Sequence, residues 1–260
     1  MDAIILGFIS GAIFGFTGAG GGILATPFLM YGLGIPVHQA IGITLLTLSL
    51  TSIFGLLQRF RTQVIDWQAG TILSISSTVA SIIGTKMNYQ MPAEILTILL
   101  AFFFVVISLV VWWDSSRIGV NKIYYAKQQR YIIFCLIGVV AGFLNGLLGI
   151  SGGIIIVVAL TLYLSFSMQQ AASVSMLVIA ISSSISATTH FYLDHNMDWE
   201  VATYFVSGSI IGIIISSNFS YKFSEKTLKR TVAAIIFLVG VSMFAKICIF
   251  YNYFNSISSN

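Results

Sequence analysis

Gly15-Phe16-Thr17-Gly18-Ala19-Gly20-Gly21-Gly22-Ile23-Leu24-Ala25-Thr26-Pro27 lies in the middle of an apolar run covering residues 3–34. A second break of the same kind, Gly142-Phe143-Leu144-Asn145-Gly146-Leu147-Leu148-Gly149-Ile150-Ser151-Gly152-Gly153, interrupts the run 131–165. Consecutive glycines inside a membrane-length helix are costly unless the backbone is meant to leave the helix there. Paired breaks at corresponding places in two halves of a chain point to the binding site of a transporter.

Around these breaks the composition is that of a membrane protein. Hydrophobic residues make up 57% of the 260, charged residues 8%, and the mean hydropathy is +0.97. Apolar elements fall near 3–34, 40–58, 67–85, 94–113, 131–165, 171–189, 199–220 and 228–254. A helix needs roughly 20 residues to cross the hydrocarbon core. The first segment has no basic leader and no small-residue cleavage site, so it is expected to belong to the mature protein. The formal charge of +4 comes from basic residues flanking spans, which reads as an orientation signal and not as nucleic-acid binding. Cys135 and Cys248 lie in apolar spans away from any ligand spacing, so neither a disulfide nor a metal nor another cofactor is expected.

The halves are copies. A shift of 131 residues superposes Gly7, Gly11, Gly15, Gly18, Gly21 and Gly22 on Gly138, Gly142, Gly146, Gly149, Gly152 and Gly153 without a gap. It also brings Ala40 to Ala171, Thr44 to Ser175 and Ser52 to Ser183. One inserted residue then places Asp66-Trp67 on Asp198-Trp199 and Leu96 on Leu228. The expected organisation is a first repeat, 1–113, a polar cytoplasmic linker, 114–130, and a second repeat, 131–260.

Charge decides how the copies are related. With all eight elements crossing, Arg59, Arg61, Arg117, Lys122, Lys127 and Arg130 face one side, Lys86, Lys222, Lys226, Lys229 and Arg230 the other, and no orientation is specified. With each broken element entering and leaving on one side, every half has three crossings and the second half is inverted. All those basic residues but Lys86 then share one face, with Lys246 inside the last span. Asymmetry of that kind is what the positive-inside rule demands. The fold expected is therefore an all-α polytopic membrane protein of two inverted repeats, each a glycine-broken helix pair plus three transmembrane helices. Both termini are expected outside the cytoplasm. Whether the broken pairs re-enter or cross with a kink stays open at this point.

The half-helices that begin at the breaks aim N-termini at the membrane centre, offering unpaired N–H donors and partial positive charge to an anion. Gly18, Gly20, Gly21, Gly22, Gly149, Gly152 and Gly153 let a ligand approach the main chain. Thr17, Asn145 and Ser151 could add side-chain donors, and Thr44 and Ser175 open the following spans at matching positions. Gly7, Gly11, Gly15 and Gly18 follow the small-xxx-small spacing of close helix packing. The many Ser and Thr of 40–58 and 171–189 are expected mostly to bond helix carbonyls. No carboxylate falls near the centre of a span, His190 ends one and reads as a packed or interfacial histidine, and Lys246 can snorkel. A negative-inside potential favours anion export by about 2.3 kcal/mol per charge per 100 mV.

The quoted breaks, with Ala40-Ile41-Gly42-Ile43-Thr44 after the first and Ala171 to Ser175 after the second, resemble the signature of the TauE/SafE sulfite-exporter family. The resemblance covers nearly the whole chain. It implies a bacterial-type inner-membrane permease for sulfite, thiosulfate or sulfonates. The partners expected are a small anion and the lipid bilayer, with a second copy in a homodimer as a further candidate. The second copy departs from the pattern, with Val158 at the place of Pro27 and Ser151 at that of a glycine. Two other functions fit parts of the sequence. A passive channel of aquaporin-like plan would use the same arrangement, but the Asn-Pro-Ala boxes are absent. Gly149-Ile150-Ser151-Gly152 fits the G-x-S-G of intramembrane serine proteases, with His190 or His195 as base. Duplication of the segment, with Gly20 in place of Ser151, argues against an enzyme.

Overall fold

The computed structural model describes residues 1–17, 22–60, 65–114, 127–164, 166–194, 196–219, 234 and 237–243. Residues 115–126 of the expected linker, most of the expected last span, and His195 lie outside the described residues. What is described is helical: α1 (Asp2–Thr17), α2 (Gly22–Pro27, continued as a π-helical turn Phe28–Gly32), α3 (Val37–Phe60), α4 (Trp67–Gln90), α5 (Ala93–Asp114), α6 (Lys127–Leu148), α7 (Gly153–Leu164), α8 (Met168–Leu193) and α9 (Trp199–Phe219). Four of these are long and apolar enough to cross a membrane: Val37–Gln58, Gln128–Leu148, Met168–Leu193 and Trp199–Ser216. The 24-residue α4 is less apolar because its inward face carries Ser74, Ser77, Ser81, Thr85 and Asn88, all buried. Its outward face carries Ile75, Val79 and Ile83, exposed as a lipid-facing stripe would be.

Local chemistry repeats between the halves. Asp66 caps α4 by accepting from the Ala69 N–H at 3.0 Å, and Asp198 accepts from Glu200 and Val201 N–H groups at the start of α9. Each carboxylate satisfies donors that a helix start leaves unpaired. The bond from Ile35 N–H to the Leu29 carbonyl has its counterpart from Phe166 to Leu160, and that from Ala40 to Pro36 has its own from Ala171 to Ser167. The halves differ at Pro27. Proline lacks an N–H, and the chain after it widens into the π-turn. With Val158 at that place, α7 runs on as a regular helix.

Glycine lets two pairs of helices touch backbone to backbone. Gly7 and Gly11 of α1 lie on the Phe205 and Ser209 backbone of α9, and Gly208 and Gly212 of α9 lie on α1 near Ile4 and Phe8. The Ser209 hydroxyl donates across this seam to the Gly7 carbonyl at 2.9 Å. In the same way Gly138, Gly142 and Gly146 of α6 meet Ser76, Ser77 and Ser81 of α4. The packing role expected of Gly7, Gly11 and Gly15 is thus what the structure has, and each copy's glycine helix packs on the other copy. Residue numbers rise together along both seams, so α1 runs parallel to α9 and α6 parallel to α4.

The repeat mates α3 and α8 pack on each other in opposite directions. Gly42 lies against His190, Ser49 bonds Ser184 at 2.6 Å, and Gly55 lies against Met176. Gly42 and Gly55 also meet Met197 and Ile213, so α3 runs parallel to α9. The ends of both broken elements come back to their beginnings. A methyl on Gly32 would stand 2.6 Å from Leu6 Cδ1, and the Phe134 and Phe166 rings are 6.3 Å apart. A straight helix from Leu6 to Gly32 would separate them by about 39 Å. The chain folds back between α1 and α2, and again between α6 and α7.

Candidate binding site

The first break ends at Gly22, which opens α2; Gly18, Gly20 and Gly21 lie outside the described residues, and Thr17 is the last residue of α1. Gly22 is buried between α3 and the second break. A methyl built on it would stand 2.9 Å from Ser151 Cβ and would collide with the Leu48 side chain. The two glycine breaks, more than a hundred residues apart in sequence, therefore touch.

The second break is described in full. α6 stops at Leu148, and Gly149 takes φ +63°, the left-handed conformation that closes a helix and favours glycine. Its N–H donates to the Asn145 carbonyl at 2.9 Å, and its Cα side is set against Ile41 of α3. Gly152 lies on the Ala141 carbonyl, 2.5 Å from where a methyl would sit. Gly153 then starts α7, whose first intrahelical bond from Ile156 N–H to the Gly152 carbonyl is 3.0 Å long. The N–H groups of Gly153, Ile154 and Ile155 precede that bond at the α7 N-terminus, the end of a helix that carries partial positive charge. Ser151 is fully buried beside them.

Side chains of the neighbouring spans complete a polar lining. Asn145 donates through Nδ2 to Ser183 Oγ at 3.0 Å, tying α6 to α8. Thr44 of α3 accepts from Thr26 of α2 at 3.1 Å. Ser175 donates to the Ala172 carbonyl of its own helix at 3.0 Å. Of the residues expected in the site, Gly22 and Ser151 are brought together. Asn145, Gly149, Gly152 and Gly153 form one continuous turn beside them. Thr44 is engaged by α2, and Ser175 is bonded within α8.

The expected helix-bonding hydroxyls are found in Thr47, Thr51 and Ser184, which donate to the carbonyls of Ile43, Thr47 and Ala180. Ser52 and Ser186 differ: buried on α3 and α8, they have no hydrogen-bond partner among the described residues. Thr26, Ser183 and Asn88 take part in cross-helix bonds that sequence reasoning did not assign to them. The signal for Asn88 was available, since a buried amide near the end of a span needs partners. No group of three or more His, Cys, Asp or Glu that could hold a metal occurs among the described residues.

Comparison with known proteins agrees with this architecture. The profile of the family described as "Sulfite exporter TauE/SafE" matches residues 3–243. The "Probable membrane transporter protein YunE" of Bacillus subtilis (strain 168) is 26% identical over 92% of this chain and 95% of its own length. The "Probable membrane transporter protein YjnA" of the same organism is 27% identical over 94% and 99%. The "Probable membrane transporter protein MJ0441" of Methanocaldococcus jannaschii is 29% identical over 92% and 93%. No solved structure matches the chain. An α-helical multi-pass protein whose relatives align from end to end, this chain belongs to the sulfite exporter TauE/SafE family, membrane transporters and not enzymes.

Proposed function

We propose that the chain is a secondary transporter for small sulfur-containing anions (sulfite, thiosulfate or a short sulfonate), bound near the membrane midplane where the two glycine breaks meet. The observation that carries the reading is the contact of Gly22 with Ser151. It puts the N-terminus of α7 and the start of α2 beside one another, so that one solute can bond main-chain N–H groups of both. Hydrogen bonds to a charged ligand contribute about 1.5–3 kcal/mol each, and several are needed to replace the water around an oxyanion. The unpartnered hydroxyls of Ser52 and Ser186 supply further donors on the two spans that line the approach.

The helix directions support two inverted repeats with re-entrant hairpins. α1, α3 and α9 run one way. α4 ends where α3 begins, by way of Asn88 and His38, 3.3 Å apart, so α4 and its parallel partner α6 run the other way, as α8 does. Each first-half helix is thus opposed to its copy, and the hairpins enter from opposite faces. In this arrangement the ends of α3, α5 and α9 share a side, which brings the basic residues flanking them to the cytoplasm of the cell (inner) membrane and leaves both termini outside. A midplane site reached alternately from either side is the plan of a carrier.

The test is counterflow in proteoliposomes with labelled sulfite, thiosulfate and methanesulfonate. A carrier gives saturable uptake that is accelerated by unlabelled anion on the far side. Uptake linear in concentration with no such acceleration is a pore, and refutes the reading.

A further inference from the structure

In an inverted repeat the two approaches to the site are equivalent except where the copies differ in chemistry. His38 is such a place. It is the second residue of α3, half-buried, and its counterpart 131 residues on is Gln169. His38 Nδ1 lies 3.3 Å from Asn88 Oδ1 of α4, and Asn88 Nδ2 donates to the Leu147 carbonyl of α6 at 2.6 Å. Leu147 is in the last turn of α6, two residues before Gly149, so two hydrogen bonds join the imidazole to the second break.

The polarity of this chain follows from its far end. A carbonyl only accepts, so the Asn88 amide is oriented with Nδ2 toward Leu147 and Oδ1 toward His38. The Nδ1 of His38 must then carry the hydrogen, which makes Nε2 the nitrogen that takes up a proton. Protonation at Nε2 leaves the bond to Asn88 in place and makes it charge-assisted. The resulting cation is linked through the amide to the C-terminal end of α6, where the helix dipole is negative. Among the described residues, the other titratable groups at this corner are His190 of α8, packed on Gly42, Asp194 after it, and Asp198 and Glu200 at the start of α9, which Met197 brings against Gly42. From α4 and α6 the groups in contact are the uncharged Asn88 amide and the Leu147 carbonyl, while Lys86, two residues before Asn88, is exposed.

We propose that His38 is a proton-binding site coupled through Asn88 and Leu147 to anion binding at the second glycine break, so that uptake of one proton at Nε2 tightens the hold on the anion. The proposal rests on the transport reading above, and goes beyond it by naming the proton as a second ligand and the end of α3 as its place.

Two measurements test it. The first needs no substrate. In protein carrying ¹⁵N-histidine in lipid nanodiscs, the three histidines are separated by the loss of one signal in His38→Gln. As the pH is lowered from about 8 to about 5, uptake of a proton at Nε2 of an Nδ1–H ring is expected. Asn88→Leu removes the Nδ1 preference. An Nε2–H form, or a ring unchanged across the range, overturns the proposal. The second is thiosulfate counterflow, because this anion keeps its charge across the same range. Its half-saturation concentration falls at least about fivefold from pH 8 to pH 5.5, the low end of ordinary coupling between sites. In His38→Gln it changes less than about twofold, whereas His190→Gln retains the wild-type dependence. Equal dependence in wild type and His38→Gln, or its loss only in His190→Gln, overturns the coupling. Wild-type protein without counterflow of any of the three anions refutes the transport reading and the coupling with it; the nitrogen signals then decide the proton site on their own.

Discussion

Replacing Gly22 by alanine separates a binding role for the two breaks from a merely structural contact. The new methyl would lie 2.9 Å from Ser151 Cβ, whereas carbon atoms rest at about 3.5–4.0 Å. Unless the Leu48 side chain and the breaks both yield, the loop around Ser151 must retreat by about 0.6–1.1 Å. Overpacking of this size costs about 1–3 kcal/mol of stability. If an anion bridges the breaks, the retreat also removes at least one charge-assisted hydrogen bond, about 1.5–3 kcal/mol. At about 1.4 kcal/mol per decade, the half-saturation concentration for counterflow rises about 10- to 150-fold. Moving the volume instead of adding it dissects the two effects. In Gly22→Ala/Ser151→Gly the collision with Ser151 is gone and only the end of the Leu48 side chain must shift, so the melting temperature in detergent returns part of the way toward wild type. Transport does not return, because the Ser151 hydroxyl is gone as well. In Gly22→Ala/Leu48→Ala the collision with Leu48 is relieved while the methyl still presses on Ser151 Cβ at 2.9 Å, so the half-saturation concentration stays raised. A Gly22→Ala protein that melts early but binds its anion as wild type does would refute the shared site. Valine at Gly152 is a poor substitute for this experiment, because that glycine is pressed on the Ala141 carbonyl and any side chain there disturbs the α6–α7 turn directly.

Gly11→Val drives a branched side chain into the Ser209 backbone, and is expected to cost more than about 3 kcal/mol, read as loss of the monodisperse folded peak in size-exclusion chromatography. Asn145→Leu leaves the buried Ser183 hydroxyl without the amide it now bonds; thermal melts should show a loss of about 1–3 kcal/mol, less in Asn145→Leu/Ser183→Ala, where no orphan remains. Asp198→Ala removes the cap of α9 and is expected to lower stability by about 1 kcal/mol without changing the half-saturation concentration. Reporter fusions are expected to place residue 122 in the cytoplasm and a tag after residue 260 outside; the opposite assignment for residue 122 would overturn the orientation read from the basic residues.

Much of this architecture is legible in the residues because membrane helices leave few ways to satisfy a backbone. The second run of glycines does end one helix and begin another, and Asp66-Trp67 and Asp198-Trp199 stand at helix starts. The spacing of Gly7, Gly11 and Gly15 announced close packing but not its object. A small-residue stripe states that a backbone comes near without saying whose, and the partner proved to be α9 of the other half. The placing of the candidate residues was legible for the backbone of the second break, less so for the side chains around it. Thr44 and Ser175 occupy equivalent places in sequence, yet Thr44 is met by Thr26 of α2 while the residue equivalent to Thr26 is Val157, which has no hydroxyl to offer Ser175. Equivalence of position does not extend to equivalence of partners. Asn88 and His38 went unassigned because each is ordinary alone; only the fold brings the end of α4 to the start of α3.

Those inequalities between the copies carry the mechanism further than their likeness does. Two identical inverted halves would present the same barrier and the same affinity from both faces, and transport would follow the gradients alone. This chain is not so balanced. The first hairpin returns through Pro27 and a widened π-turn, the second through an unbroken α7. Proline removes a bond within the helix and π-turns concentrate at functional sites, so the two return helices differ in backbone bonding. The second break is also the one whose flanking helix Asn145 ties to Ser183 and Asn88 ties to His38. If the anion binds where proposed, a second break held by these bonds and an imidazole at the start of α3, where the other copy has Gln169, would give a duplicated structure a direction.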